Sequence, residues 1–182
     1  MYRLFVAVDL PEDVKQHLGA ISCGVPGARW MEPAQLHLTI RFIGEVDGGV
    51  FRDILDSLRE VQAHAFDLTL KGVGFFPPRG VPETIWVGVE KSEPLKLLRS
   101  RVEAALARAG VDRDSRKFAP HVAIARLKEP HVGRVAGYLT EYGLFRVEPF
   151  QVAAFTLYSS SLSSSGAIHQ VEEEYPLNGK RN

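Results

Sequence analysis

Cysteine is almost missing from this chain: Cys23 is the only one in 182 residues. No intrachain disulfide can form, which suits a reducing compartment, so the expectation is a cytoplasmic protein in which Cys23 is a buried or bystander thiol. Surplus charge is missing too, because Lys plus Arg and Asp plus Glu both number 22. A protein that coats long nucleic acids without regard to sequence needs a broad basic surface, so that class is set aside. A local cluster gripping one phosphate is not. No apolar run approaches the roughly 18 residues of a membrane-spanning helix, and no membrane partner is expected. The opening MYRLFVAVDLPEDV meets charge at Arg3 and turns acidic by Asp9, so it is expected not to be a signal peptide. Nor is there a group of Cys, His and carboxylate residues at ligand spacing, so neither a metal nor a cofactor is expected.

What is present is an ordinary apolar fraction of 45%, enough for one domain or two closely packed lobes. Leu4 to Val8 reads as a buried strand. Pro11 opens a helix with Glu12 and Asp13 at its positive end and Val14, Leu18 and Ile21 as its inner stripe. Arg29 to Met31 reads as a short strand. Leu36 to Phe42 alternates apolar and polar, with Leu36, Leu38, Ile40 and Phe42 toward a core and His37, Thr39 and Arg41 the other way; Gly44 is expected to end it. Asp47 is a helix N-cap ahead of Val50, Ile54 and Leu58. Phe66 to Phe76 reads as one strand, paired as a hairpin with Ile85 to Val89. Pro94 to Ala109 is the clearest helix, stopped by Gly110. After the charged loop Asp112 to Phe118, Pro120 forces an extended entry into a second strand, His121 to Arg126. His131 to Tyr142 reads as a helix. Phe150 to Tyr158 and Ala167 to Tyr175 read as strands joined by a loop, SSSLSSSG.

The order β-α-β-α-β-β-α-β-α-β-β repeats a helix, a histidine strand, a helix and a strand pair, which suggests an internal duplication. It implies an α+β fold of two lobes, with mixed or antiparallel sheets and helices on one face. Open faces together would bring His37 and His121 to either side of one cleft. A lone strand histidine is most simply a structural residue, whereas two that each begin a matching alternation call for a shared role. His17, His64 and His131 fall on helix surfaces or ends and read as solvated; His169 lies in a strand. Two imidazoles without metal suit acid–base chemistry near neutrality. Opening a cyclic phosphate needs both, a base for water and an acid for the leaving ribose oxygen. Thr39, on the face of His37, is placed to bond a phosphate oxygen.

His37-Leu38-Thr39-Ile40 is similar to the His-x-Thr/Ser-x tetrapeptide of the 2H phosphoesterases, and His121 heads a second copy. The segments FVAVDLPE, QLHLTIRFIGE, GVGFFP, IWVGV, FAPHVAIARL and LYSSSLSSSGAIHQV extend the resemblance to RNA 2′,3′-cyclic phosphodiesterases, also called 2′-5′ RNA ligases, almost end to end. The resemblance implies one bilobal domain over residues 1–182, with pseudo-symmetric lobes facing a central cleft. It implies metal-independent hydrolysis of a terminal 2′,3′-cyclic phosphate to a 2′-phosphate on RNA or oligonucleotide ends, by a monomer. By motif position His37 would give a proton to the leaving O3′, His121 would activate water, and Thr39 would hold phosphate oxygen. Arg126 and Phe42 would contact phosphate or the terminal nucleobase. Strict alternation puts those two on the face opposite the histidines, so each strand would have to bend or end there.

Two residues depart from the pattern: Ala123, where the second motif carries Thr or Ser, and His169, where Tyr is common. Losing a hydroxyl bond to a charged acceptor costs roughly 1.5–3 kcal/mol, a tenfold to hundredfold effect. Two alternatives therefore stand beside the hydrolase: an RNA-end binding protein whose catalysis is weakened at Ala123, and a 2′-5′ RNA ligase using the same histidines.

Overall fold

The computed structural model describes residues 1–179. β1 (Tyr2–Asp9) is buried from Leu4 to Val8, which is why its sequence is a continuous apolar run and not an alternation. α1 (Glu12–Ala20) follows Pro11 and buries Val14 and Leu18. β2 (Ala28–Trp30) and a 3₁₀ turn at Pro33–Gln35 lead into β3 (His37–Val46). α2 (Gly48–Arg59) is capped by the Asp47 carboxylate, which accepts from the Gly49 and Val50 N–H groups. β4 (Phe66–Leu68), β5 (Leu70–Phe76) and β6 (Thr84–Val89) come next. α3 (Glu93–Arg108) ends in a Schellman turn: Gly110 takes φ +84°, and the N–H groups of Gly110 and Val111 return to the carbonyls of Ala107 and Leu106. β7 (His121–Leu127), α4 (Val132–Glu141), β8 (Phe150–Val152), β9 (Ala154–Ser163) and β10 (Gly166–Pro176) complete the order. Among the described residues no helix is long and apolar enough to cross a membrane.

Two four-stranded antiparallel sheets carry the α+β fold, one ordered β10-β9-β1-β3 and the other β2-β7-β6-β5, with β4 and β8 as a separate pair. A continuous apolar core joins them, from Leu4, Val6, Leu38 and Ile40 to Leu98, Val102, Val122 and Ile124. The lobes are not the two halves of the chain. The first sheet draws on both ends of the sequence, and the second takes β2, β5 and β6 from the first half and β7 from the second, so each lobe is assembled from both halves of the chain.

Four local expectations are corrected. The run Phe66–Phe76 breaks at Thr69, because β4 pairs with β8 while β5 pairs with β6; alternation does not register a change of partner. The Phe150–Tyr158 run breaks at Ala153 for the same reason. Ser159 to Ser163 belong to β9, leaving a turn only at 164–165, since register with β10 satisfies their backbone groups whatever the side chains. Finally, Gly44 does not end β3. It adopts φ +89° opposite Leu4, and the strand runs on to Val46.

Candidate active site

The two histidine strands share a deformation. On β3, Thr39 pairs with Ala7 and Arg41 with Val6, so Ile40 is an extra residue with no partner. On β7, Ala123 pairs with Trp86 and Ala125 with Ile85, so Ile124 is extra. Each is a β-bulge three residues past the histidine, and a bulge resets which face later residues occupy. Up to the bulge the faces follow the alternation, with Leu38 and Val122 buried and His37, Thr39, His121 and Ala123 toward the cleft. Beyond it they invert. Arg41 turns inward and is 7% exposed, and Phe42 turns out to 45%, the reverse of the sequence expectation. Ala125 is likewise buried, and Arg126 turns out. Thus both Phe42 and Arg126 reach the cleft, through bulges that alternation could not foretell.

The cleft has a volume of about 830 Å³ and is lined by His37, Thr39 and Phe42 from β3, His121, Ala123 and Arg126 from β7, and Phe5 and His169 beside them. All five residues singled out from the sequence are thereby together. His121 holds Nδ1 2.7 Å from the Ala119 carbonyl, which accepts its proton and leaves the Nε2 lone pair free to take another. Its ring lies edge-on to Phe76 at 4.9 Å, with Trp86 behind.

His37 sits on an aromatic floor. Phe5 is buried under His37 (4.9 Å, stacked), Tyr158 (5.1 Å), Phe42 (5.7 Å) and the edge of His169 (4.9 Å). Burial, then the neighbouring His169, lower the His37 pKa to about 4, against a backbone hydrogen bond at Gln35 and the Asp9 carboxylate, which raise it. Burial also lowers His169. Asp9 accepts from the hydroxyls of Thr156 and Tyr158. The sequence reading missed the roles of Phe5, Asp9 and Tyr158; all lie in segments that carried the resemblance, but nothing local marks them.

Arg41, expected to face water or the cleft, is instead an anchor. It pairs with Glu103 of α3 and donates to the carbonyls of Phe42 and Asp112. Arg99 reaches the same Glu103 at 3.5 Å and Asp114 at 3.9 Å, and stacks on Phe118. Arg116 grips Asp114 at 3.0 Å and holds its carboxyl well below the usual range. The bulge in β3 is thereby tied to the charged loop at the cleft rim.

Among the described residues, Arg3, Arg29, Lys117 and Arg126 line the cleft without a carboxylate partner, while its lone acidic lining residue, Asp114, is taken by Arg116. A net-neutral chain so presents a positive cleft. His17, His64 and His131 are exposed and away from it, with Nδ1 groups near the Asp13 carbonyl, the Gly179 carbonyl and the Arg134 N–H. Among the described residues, no three His, Cys, Asp or Glu side chains are grouped to hold a metal ion.

A sequence profile described as the 2′-5′ RNA ligase superfamily matches residues 4–163. The RNA 2′,3′-cyclic phosphodiesterase of Archaeoglobus fulgidus is 33% identical over 171 residues, 92% of this chain and 96% of its own. That of Thermus thermophilus is 34% identical over 189 residues, 98% and 91% of the two chains. A Thermus thermophilus crystal structure superposes with a TM-score of 0.80 at 28% identity, covering 98% of this chain and all of its own. The fold of E. coli LigT complexed with 3′-AMP is similar at a TM-score of 0.78 and 24% identity, covering 97% and 98%.

Proposed function

The chain belongs to the 2′-5′ RNA ligase superfamily, and from that membership we propose that it is an RNA 2′,3′-cyclic phosphodiesterase, hydrolysing a terminal cyclic phosphate to a 2′-phosphate. The observation that carries this reading is the pair of strands, each bulged three residues past its histidine, that set His37 and His121 on one positive cleft. His121 Nε2 takes the proton of the attacking water, since Nδ1 is committed to Ala119. His37 gives a proton to the departing O3′. Thr39 donates to a phosphate oxygen, Phe42 offers an exposed ring for the terminal base, and Arg126 its guanidinium, held by Thr84 at 3.1 Å. A His37 pKa of about 4 keeps the ring neutral at pH 7 in the empty cleft. An anionic phosphate beside the ring favours the imidazolium, so substrate and proton arrive together.

We take residues 1–182 to act as one bilobal domain and as a monomer. A reducing cytoplasm suits its lone thiol, Cys23. The test is turnover of an oligonucleotide ending in a 2′,3′-cyclic phosphate, with and without excess chelator. Release of a 2′-phosphate in both is expected. Binding without turnover would leave an RNA-end binding protein, and loss on chelation that one divalent ion restores would overturn the two-histidine mechanism.

A further inference from the structure

His169 enters the cleft from β10, paired in register with Ser160 of β9. Its ring stands edge-on to His37 at 5.2 Å and 87°, and edge-on to Phe5 at 4.9 Å. Nδ1 is sealed from solvent and, among the described residues, has no hydrogen-bond partner. The carboxylate of Asp9, which acts on the neighbouring His37, is occupied by Thr156 and Tyr158. A neutral imidazole carries one N–H and one lone pair, whereas a charged one carries two N–H groups. Charging this ring would bury an N–H with no acceptor, so the neutral form with its proton on Nε2 is favoured. Burial acts in the same direction. The ring then offers a neutral N–H to the cleft.

That is the chemistry the other wall has lost. Thr39 supplies a hydroxyl on the β3 side, while the matching position on β7 is the methyl of Ala123, which cannot donate. We propose that the Nε2–H of His169 is a binding donor to the phosphate held between His37 and His121, in place of the hydroxyl absent at Ala123. The assignment rests on the phosphodiesterase reading for the identity of its ligand, a phosphate on an RNA end.

Binding of adenosine 2′-monophosphate, measured by calorimetry, tests it without requiring turnover. His169→Phe, which keeps the ring contact with Phe5, is expected to weaken binding about tenfold, and to raise KM for the cyclic substrate more than it lowers kcat. His169→Gln, which retains an N–H donor, should hold most of the affinity. Ala123→Thr should recover most of the loss in the His169→Phe background and gain less in the wild type. Nitrogen NMR of the wild type at pH 7 should find His169 neutral and protonated on Nε2, a readout that needs no variant to fold. Unchanged affinity in His169→Phe, a proton on Nδ1, or a wild type that does not bind the monophosphate would each overturn the proposal. Monophosphate binding that depends on His169 without turnover of the cyclic substrate would overturn the reaction and leave the donor in place.

Discussion

In the proposed reaction His37 and His121 do opposite work because their surroundings differ. His121 has Nδ1 committed to a carbonyl and an open Nε2, the arrangement of a base. His37 is stacked on Phe5, and burial holds its pKa down at about 4. Replacing either with Ala should lower kcat by roughly 10²–10⁴, whereas His17→Ala, on the exposed face of α1, should change nothing measurable. In pH profiles His37→Ala should lose the alkaline fall and His121→Ala the acid fall. Because bound phosphate raises the His37 pKa, the wild-type alkaline fall should lie at higher pH in kcat than in kcat/KM. The same ring affects stability. Its folded pKa of about 4 is below the unfolded value near 6.5, so the unfolded chain binds more protons between them. Its contribution is present above pH 6.5 and is lost as pH falls toward 4. Between pH 7 and 4.5, urea denaturation should show wild type losing roughly 1–2 kcal/mol more than His37→Phe, a figure discounted for the open edge of the ring. Equal losses would show that His37 is not depressed.

At the scale of elements, the bulges decide the site. Without the unpaired Ile40, Phe42 would point into the core and Arg41 into the cleft; without Ile124, Arg126 would be buried. Arg41 makes the β3 bulge tolerable by placing its charge against Glu103 and two carbonyls. Removing one member of a buried pair strands the other, at a cost of about 3–5 kcal/mol, while replacing both by apolar residues can be close to neutral. Glu103→Leu should therefore lower the unfolding free energy by about that much, and adding Arg41→Met should recover more than half of it. Strict additivity in a denaturant double-mutant cycle would mean that the pair does not hold the bulge.

For the whole molecule, a net charge of zero coexists with a cleft holding Arg3, Arg29, Lys117 and Arg126 without carboxylate partners among the described residues. Such a cleft suits a few phosphates better than a long backbone. The log–log salt slope for binding a short oligonucleotide should be shallow, near −0.7 for each phosphate contacted. Lys117→Ala should flatten it by about 0.7 while leaving turnover of a mononucleotide cyclic phosphate unchanged. A steep slope, or one insensitive to Lys117, would place the RNA elsewhere on the surface.

Capping, periodicity and the paired histidines were legible in the sequence because each rests on local energies. Asp47 satisfies N–H groups two and three residues away, and the inner stripe of α3 repeats within one helix. The His-x-Thr face of β3 needs only its own pleat. Everything that depended on a partner was decided by tertiary structure. Whether Phe66–Phe76 is one strand or two depends on β8 and β6, and whether SSSLSSSG is loop or strand depends on β10. The direction of Phe42 depends on Val6 and Ala7 across the ladder, and that of Arg126 on Ile85 and Trp86. A shift of one residue in pairing moves every later side chain to the other face. That shift leaves no trace in the alternation of a single strand, because its energy lies between strands and not along one.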